Sequence, residues 1–315
     1  NDPLTGRSFL PFEGNQRVYF PTRVARTLAF PIDEANSNDQ FARLYAPAVV
    51  EAIAELSLPR YGLGEYVATT ADKRATTEEK RVLQNLSRAG KRLMGFSRTN
   101  LFKRLESSGQ AFLQSIERHV LRNYIFLHAL ESGLDLPIGP QDATLLDSRS
   151  FDEDLDAVQL ATTVYALYAG QHRRRFTWVR AELFSKALAR DLRRDAHELL
   201  RVLQQCGVWE PAQDAKLQAL RALLTQTHPG EKVLVFTQFA DTVGYLSEQL
   251  ARAGIPAVAG VTGASDDPTG LAWRFSPESN GHRQDIGPAQ ELRVLIATDV
   301  LSEGQNLQDA HVVVN

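Results

Sequence analysis

One cysteine, Cys206, stands in 315 residues. A single thiol excludes an internal disulfide and cannot by itself hold a metal cluster, which suits a reducing, cytoplasmic setting. Its place at the end of a helical pattern marks it as a small buried or half-buried apolar residue. No apolar run approaches the roughly 18 residues of a membrane span, so no membrane partner is expected, and no signal-like segment opens the chain. The seven histidines are scattered, without HExxH or paired-cysteine spacing, so a metal site has no support. Asp299, Ser302 and Glu303 form no nucleophile–base pair with any histidine. There is no exact internal repeat and no low-complexity tract. Net charge is also small, −3, which argues against a uniformly basic nucleic-acid binder but hides local asymmetry.

What is present is the composition of a folded protein, 43% hydrophobic and 23% charged, with length for about two domains. The first 30 residues hold aromatic and proline-punctuated extended segments. Residues 26–30 (RTLAF) are the expected strand, followed by a helix over 39–56 in which Phe41, Leu44, Val49, Ile53 and Leu56 recur at helical spacing. Proline and glycine at Pro59 and Gly62 close it. Residues 61–213 are mainly helical. Two or three helices are expected over 77–132, the longest carrying Leu105, Phe112, Ile116, Val120, Tyr124 and Leu127 on one face. An exposed linker over 133–156 is acidic near 140–156, with Asp142, Asp147, Asp152, Glu153, Asp154 and Asp156. A helical block over 155–205 carries Arg173, Arg174 and Arg175. Over 73–124, twelve basic side chains face four acidic ones, an excess that attracts a phosphate backbone or merely solvates a helix surface.

From 214 to 315 the pattern alternates. Helix 216–227 is followed by strand 232–236, then helix 240–253, stopped by Gly254 with Pro256 beyond. Strand 257–261, a Gly/Pro/Ser-rich loop to about 290, strand 293–297, a turn and strand 311–314 complete it. Strands separated by helices specify a parallel α/β sheet with right-handed crossovers. The strands end in polar residues: Thr237 and Gln238, then Gly263, then Thr298 and Asp299. Phe236 and Phe239 are read as core. Ligands of open parallel sheets gather beyond the carboxyl ends of the strands. Thr237, Gln238 and Thr298 suit phosphate contact, which positions a nucleic acid without reading its sequence, while Asp299 orients amides or a basic side chain. Gly304 permits close backbone approach to a ligand, and the carboxamides of Gln305 and Asn306 can bond phosphate or ribose. Taken alone, residues 303–308 also read as a plain polar loop.

The segment 292–315, LRVLIATDVLSEGQNLQDAHVVVN, resembles motif V of superfamily-two helicases, in the form found in SWI/SNF-type DNA-dependent ATPases, particularly bacterial ones. KVLVFTQF at 232–239 resembles motif IV, and KLQALRALL at 216–224 resembles the helix that leads into it. Val261, Thr262 and Gly263 occupy the place of motif IVa, and KRLESSGQAF at 103–112 resembles the helical protrusion between the lobes of those ATPases. Motifs in the right order within roughly a hundred residues are far more specific than any one alone. The resemblance implies that residues 1–60 end a first RecA-like lobe and its exit helix, and that 61–213 are a helical protrusion with an accessory insertion. Residues 214–315 would then be an incomplete RecA-like parallel-sheet lobe, the helicase C-terminal domain, truncated before motif VI. It also implies ATP and magnesium as cofactors, bound mainly by the first lobe, with Gly304, Gln305 and Asn306 reaching the nucleotide. Asn306 stands where many helicases have aspartate, but Gly304-Gln305-Asn306-Leu307 fits the G-x-N-L form of SWI/SNF-type proteins. Double-stranded DNA is the implied partner, followed by Thr237, Gln238, Gly263, Thr298 and Asp299. Bacterial relatives act on protein–DNA complexes or beside nuclease modules, which implies a cytoplasmic, nucleoid-associated setting.

No GxxxxGK[ST] loop and no DExH-like box occur in the sequence, and motif VI would lie beyond Asn315. With an Asn1 start and a strand-like terminus, the expectation is a fragment of a longer ATP-dependent DNA translocase that alone does not hydrolyse ATP. Two alternatives stand beside it: an RNA helicase or restriction-type translocase, and a non-catalytic helical scaffold with a degenerate RecA-like lobe.

Overall fold

Residues up to Pro31 and those from Ile32 onward form two separate compact units. The computed structural model of the chain describes residues 9–11, 17–19, 23–139, 146, 156–301 and 305–315. In the first unit β1 (Phe9–Pro11) and β2 (Arg17–Tyr19) pair antiparallel, with Leu10 opposite Val18. The strand expected over 26–30 does not form. Residues 23–30 have no regular structure, and Val24 and Leu28 are exposed. Without a neighbouring strand among the described residues, their backbone groups gain nothing from extension over solvation.

The second unit opens with α1 (Gln40–Leu44) and α2 (Pro47–Glu55). The single helix expected over 39–56 is therefore two. Pro47 lacks an N–H and holds Ala46 extended at ψ 138°, so the first helix stops and a second starts on the proline. After α3 (Ala71–Arg74) comes α4 (Thr77–Ser107), opened by a capping box in which Thr76 and Glu79 exchange hydrogen bonds of 2.8 and 3.2 Å. One residue separates α4 from α5 (Gly109–Glu131): Ser108 ends the first, and its hydroxyl accepts from Ala111 N–H to begin the second. Leu105 thus belongs to α4, not to the face of Phe112, Ile116, Val120 and Leu127 with which its spacing groups it.

α5 is the central helix, buried on several faces, which is why its interior residues include Gln114, Ser115, Arg118, His119 and Asn123 beside Phe112, Ile116 and Ile125. The stretch 133–156, expected as a linker, begins with a strand, β3 (Asp135–Ile138), and the block 155–205, expected as all helix, contains its partner. The block runs α6 (Ala157–Ala169), β4 (Thr177–Arg180) and α7 (Lys186–Cys206). β3 and β4 pair antiparallel with Leu136 opposite Val179, both fully buried. Two four-residue strands are too short to show a periodicity of their own. Asp156 caps α6; Asp142, Asp147, Asp152, Glu153 and Asp154 lie outside the described residues. Ile125, Leu136, Val164, Tyr168, Leu188 and Leu192 join these elements in one core. Cys206 is buried as expected, its thiol pushed up to about 11 by that burial.

The remainder alternates as the pattern predicts. α8 (Ala215–Ala222), capped by Asp214, widens into a π-helical turn over Leu223–Thr227. Then follow β5 (Val233–Phe236), α9 (Ala240–Arg252), β6 (Val258–Val261), α10 (Pro268–Phe275), β7 (Val294–Ala297) and β8 (Val312–Val314). The sheet is wholly parallel in the order β6-β7-β5-β8. β5 and β7 are continuous apolar runs buried on both faces, as parallel strands between helices must be. Gly254, at φ 75°, ends α9 in the left-handed conformation that glycine adopts without penalty. α10 lies inside the expected loop; Pro268 supplies its first turn and Asp267 accepts from Gly270 N–H at 2.8 Å. The whole is a mixed α/β fold, a parallel four-stranded sheet preceded by a helical region.

Gly109 packs tightly against Trp209 and Leu44. A Cβ there would stand 2.3 and 2.4 Å from Trp209 ring carbons and 2.8 Å from Leu44 Cδ1. Gly109→Ala is expected to destabilise the fold by about 1–3 kcal/mol. Urea unfolding followed by tryptophan fluorescence tests this, and an unchanged midpoint would contradict the packing described.

Candidate nucleic-acid interface at the sheet edge

Parallel register sets the strand ends level. Phe236 lies opposite Ala297, and Ala297 opposite Val261. The next residue on each strand is a threonine: Thr237, Thr298 and Thr262. Thr237 N–H donates to Ala297 O at 3.0 Å, and Thr298 N–H to Val261 O at 3.1 Å. Gln238, Asp299 and Gly263 come immediately after, and all three are exposed. Thr237, Gln238, Gly263, Thr298 and Asp299 therefore share one carboxyl edge of the sheet. Thr262 belongs to the same row, although sequence reasoning singled out only Gly263 beside it; its signal was its position one residue past an apolar strand. Its N–H donates to Ser265 Oγ at 3.0 Å and its hydroxyl accepts from Ala264 N–H at 3.2 Å, closing a tight turn.

The five residues differ in what surrounds them. Thr298 is only 6% exposed, packed into the end of the sheet. Thr237 Oγ1 lies 3.0 Å from Ser107 Oγ at the corner between α4 and α5, and the same Ser107 oxygen lies 3.0 Å from Thr242 Oγ1. The exposed residues of the edge are thus Gln238, Gly263 and Asp299, with Thr237 and Thr262 half-buried beside them.

The corner is held down by charge. Arg104 NH1 donates to Asp241 Oδ2 at 2.6 Å, and Arg118 NH1 reaches both Asp241 oxygens at 2.8 and 2.9 Å. Burial alone would raise the Asp241 carboxyl, but the two guanidiniums hold it below the usual range. Arg104 also lies over the Phe239 ring, 4.6 Å from its centroid, and Phe239 is buried. Lys216 Nζ donates to the carbonyls of Glu106 and Ser107, capping the end of α4. Behind it, Trp209 Nε1 donates to Tyr245 OH at 3.1 Å, which donates to Asp214 Oδ2 at 2.8 Å. Burial pushes the Asp214 carboxyl up despite the hydrogen bonds it accepts from Leu217 N–H and Tyr245.

Of the residues assigned to nucleotide, Gly304 lies outside the described residues. Gln305 Nε2 donates to Thr269 Oγ1 at 3.3 Å. Asn306 is engaged at both ends of its amide: Nδ2 donates to Ser279 O at 2.9 Å, and Oδ1 accepts from Gln308 N–H at 3.3 Å. Asp309 completes the stitching, accepting from the N–H groups of Glu278 and Ser279, both at 2.9 Å. Burial would raise the Asp309 carboxyl, but these bonds and Lys232 hold it low. No group of three His, Cys, Asp or Glu among the described residues could hold a metal ion. No described helix is long and apolar enough to cross a membrane.

Residues 215–315 match the family model of the helicase conserved C-terminal domain. The match begins at α8 and covers the whole parallel sheet, so this third of the chain is a RecA-like, superfamily-two helicase-like domain preceded by a helical region. No curated protein matches the chain.

Removing the Asp241 carboxylate leaves two guanidiniums facing each other at a partly buried contact. Asp241→Ala should cost about 3 kcal/mol at neutral pH. Because the folded carboxyl is held below its unfolded value, its contribution is present above about pH 4 and fades as pH falls through the lower folded value. Denaturant titrations at pH 7 and pH 3 should show the gap between wild type and variant shrinking in acid; a gap of constant size would refute the role of charge.

Proposed function

We propose that this chain is part of a SWI/SNF-type, ATP-dependent translocase that moves on double-stranded DNA. The observation that carries the reading is the level row of strand ends, Thr262–Gly263, Thr298–Asp299 and Thr237–Gln238, on one edge of a domain of the helicase C-terminal family. Amides, a carboxamide and small residues in such a row follow a sugar–phosphate backbone without reading bases, as movement along any sequence requires. Gly304, Gln305 and Asn306 are assigned to the nucleotide, with Asn306 exchanging its bonds to Ser279 and Gln308 when ATP and magnesium are held between lobes. The phosphate loop and acidic box that carry hydrolysis are not among these residues, so the chain alone is assigned no ATPase activity. Protein–DNA complexes are the proposed setting of its action, inside a bacterial cytoplasm.

In the parent protein, ATP hydrolysis is expected to rise with duplex DNA and not with RNA. Stimulation by RNA alone would favour an RNA helicase, and no stimulation by either would favour a scaffold with a degenerate lobe.

The edge itself can be tested in the present chain. Gly263 has open space at its Cβ position, so Gly263→Asp adds charge without a clash, and Gln238→Glu does the same at an exposed site. The double variant should bind duplex DNA about tenfold more weakly at low salt, by fluorescence anisotropy. Equal affinity would remove the strand ends from the DNA path.

A further inference from the structure

One turn along α5 from the Arg118–Asp241 pair lies a second group of cations with no carboxylate partner among the described residues. Arg60 and Tyr61 sit on the tight turn after α2, where Leu58 is held at φ 48°. That strained turn is fixed by Asp195 of α7, whose two oxygens accept from Ser57 N–H at 3.1 Å and Leu58 N–H at 2.7 Å. The turn presents Arg60 to α5. There Arg60 Nε donates to Asn123 Oδ1 at 2.9 Å, and its NH2 lies 3.4 Å from His119 Nδ1. A guanidinium only donates, so Nδ1 accepts and the imidazole proton sits on Nε2, which remains a donor. Arg60 lies 5.2 Å from the Tyr61 ring centroid, and that ring is 5.9 Å from His119.

Among the described residues Arg122 stands within electrostatic range of Arg60, Tyr61 and Tyr168, pairs with no carboxylate, and keeps its Nε buried without a partner. Burial and Arg60 push it down to about 10. Burial, with Arg60, Arg122 and Arg104, drives His119 well below the ordinary imidazole value, so it is neutral at pH 7. Burial alone would raise the Tyr61 phenol, but Arg60 and Arg122 pull it below its ordinary value. Burial and neighbouring guanidiniums act on all three of these groups, and Arg60 and Arg122 meet no carboxylate among the described residues. Interiors tolerate such charge only when it is paired.

We propose that Arg60, His119 and Arg122 form a binding site for a phosphate group. The Arg122 guanidinium, the remaining N–H groups of Arg60 and an Nε2–H donor match the charge and the tetrahedral acceptors of phosphate. The site does not rest on the strand-end reading, since it uses none of those residues. Its phosphate comes either from a free phosphate or nucleotide, or from a nucleic-acid backbone.

The test is the melting temperature of the 315-residue chain with and without inorganic phosphate at constant ionic strength. Phosphate should raise the wild-type midpoint, and the affinity derived from that rise should fall about tenfold or more in Arg122→Met and in Arg60→Met. Arg201→Met, at an exposed residue paired with Glu198, should keep the full rise. Without phosphate, Arg122→Met should melt no lower than wild type, because it removes an unpaired charge; a purely structural arginine would lower the midpoint with or without phosphate. Line broadening of the phosphorus-31 signal by the unmutated chain gives a readout that needs no variant. A short DNA duplex that abolishes the phosphate effect identifies the backbone as the source, and a duplex without effect identifies the free anion. No midpoint rise and no broadening in wild type, or an equal rise in both arginine variants, would overturn the site.

Discussion

The grip of Arg104 and Arg118 on Asp241 joins the helical region to the sheet domain that follows it. Both arginines belong to the helical region, one on each side of the corner at Ser108, while Asp241 begins the helix that follows the first strand of the sheet. With Ser107 bonded to Thr237 and Thr242, and Lys216 capping the end of α4, the corner is fastened at the tip of a central strand. None of these contacts is local in sequence. They make the helicase-like domain and the helices before it neighbours across a polar, partly buried seam.

How much of this was legible in the sequence depends on the length scale of each signal. Helix and strand alternate strongly after residue 214, and the strands VLVF and VLIA are apolar throughout, so the parallel sheet could be read directly. The helical region was read as helical, but its punctuation was missed. Pro47 divides one expected helix, and a single serine, acting at once as the end of α4 and the start of α5, divides another without any loop composition to announce it. The ribbon of Asp135–Ile138 with Thr177–Arg180 joins strands far apart in sequence, and only their pairing reveals them. Likewise α10 begins on Pro268 inside a glycine- and serine-rich stretch whose composition suggests a loop.

The candidate interface shows the same limit. Sequence placed the polar residues after each strand, and the register confirms that Thr237, Thr298 and Gly263 end adjacent strands of one edge. It could not tell that Thr237 meets Ser107, that Thr298 is packed in, or that both ends of the Asn306 amide bond to neighbouring backbone. The basic excess over 73–124 was visible as a count. Which members are neutralised, as Arg104 and Arg118 are, and which are not, as with Arg122, is a property of three-dimensional pairing alone.

The corner at Ser108 has a mechanical consequence. Two helices of 31 and 23 residues meet at one residue in an extended conformation, φ −159° and ψ 132°, with no intervening loop to absorb displacement. Such a joint behaves as a bent lever rather than a tether. With α5 buried among its neighbours, a displacement of the strand tip bonded to Ser107 would reach the packed core directly, without slack.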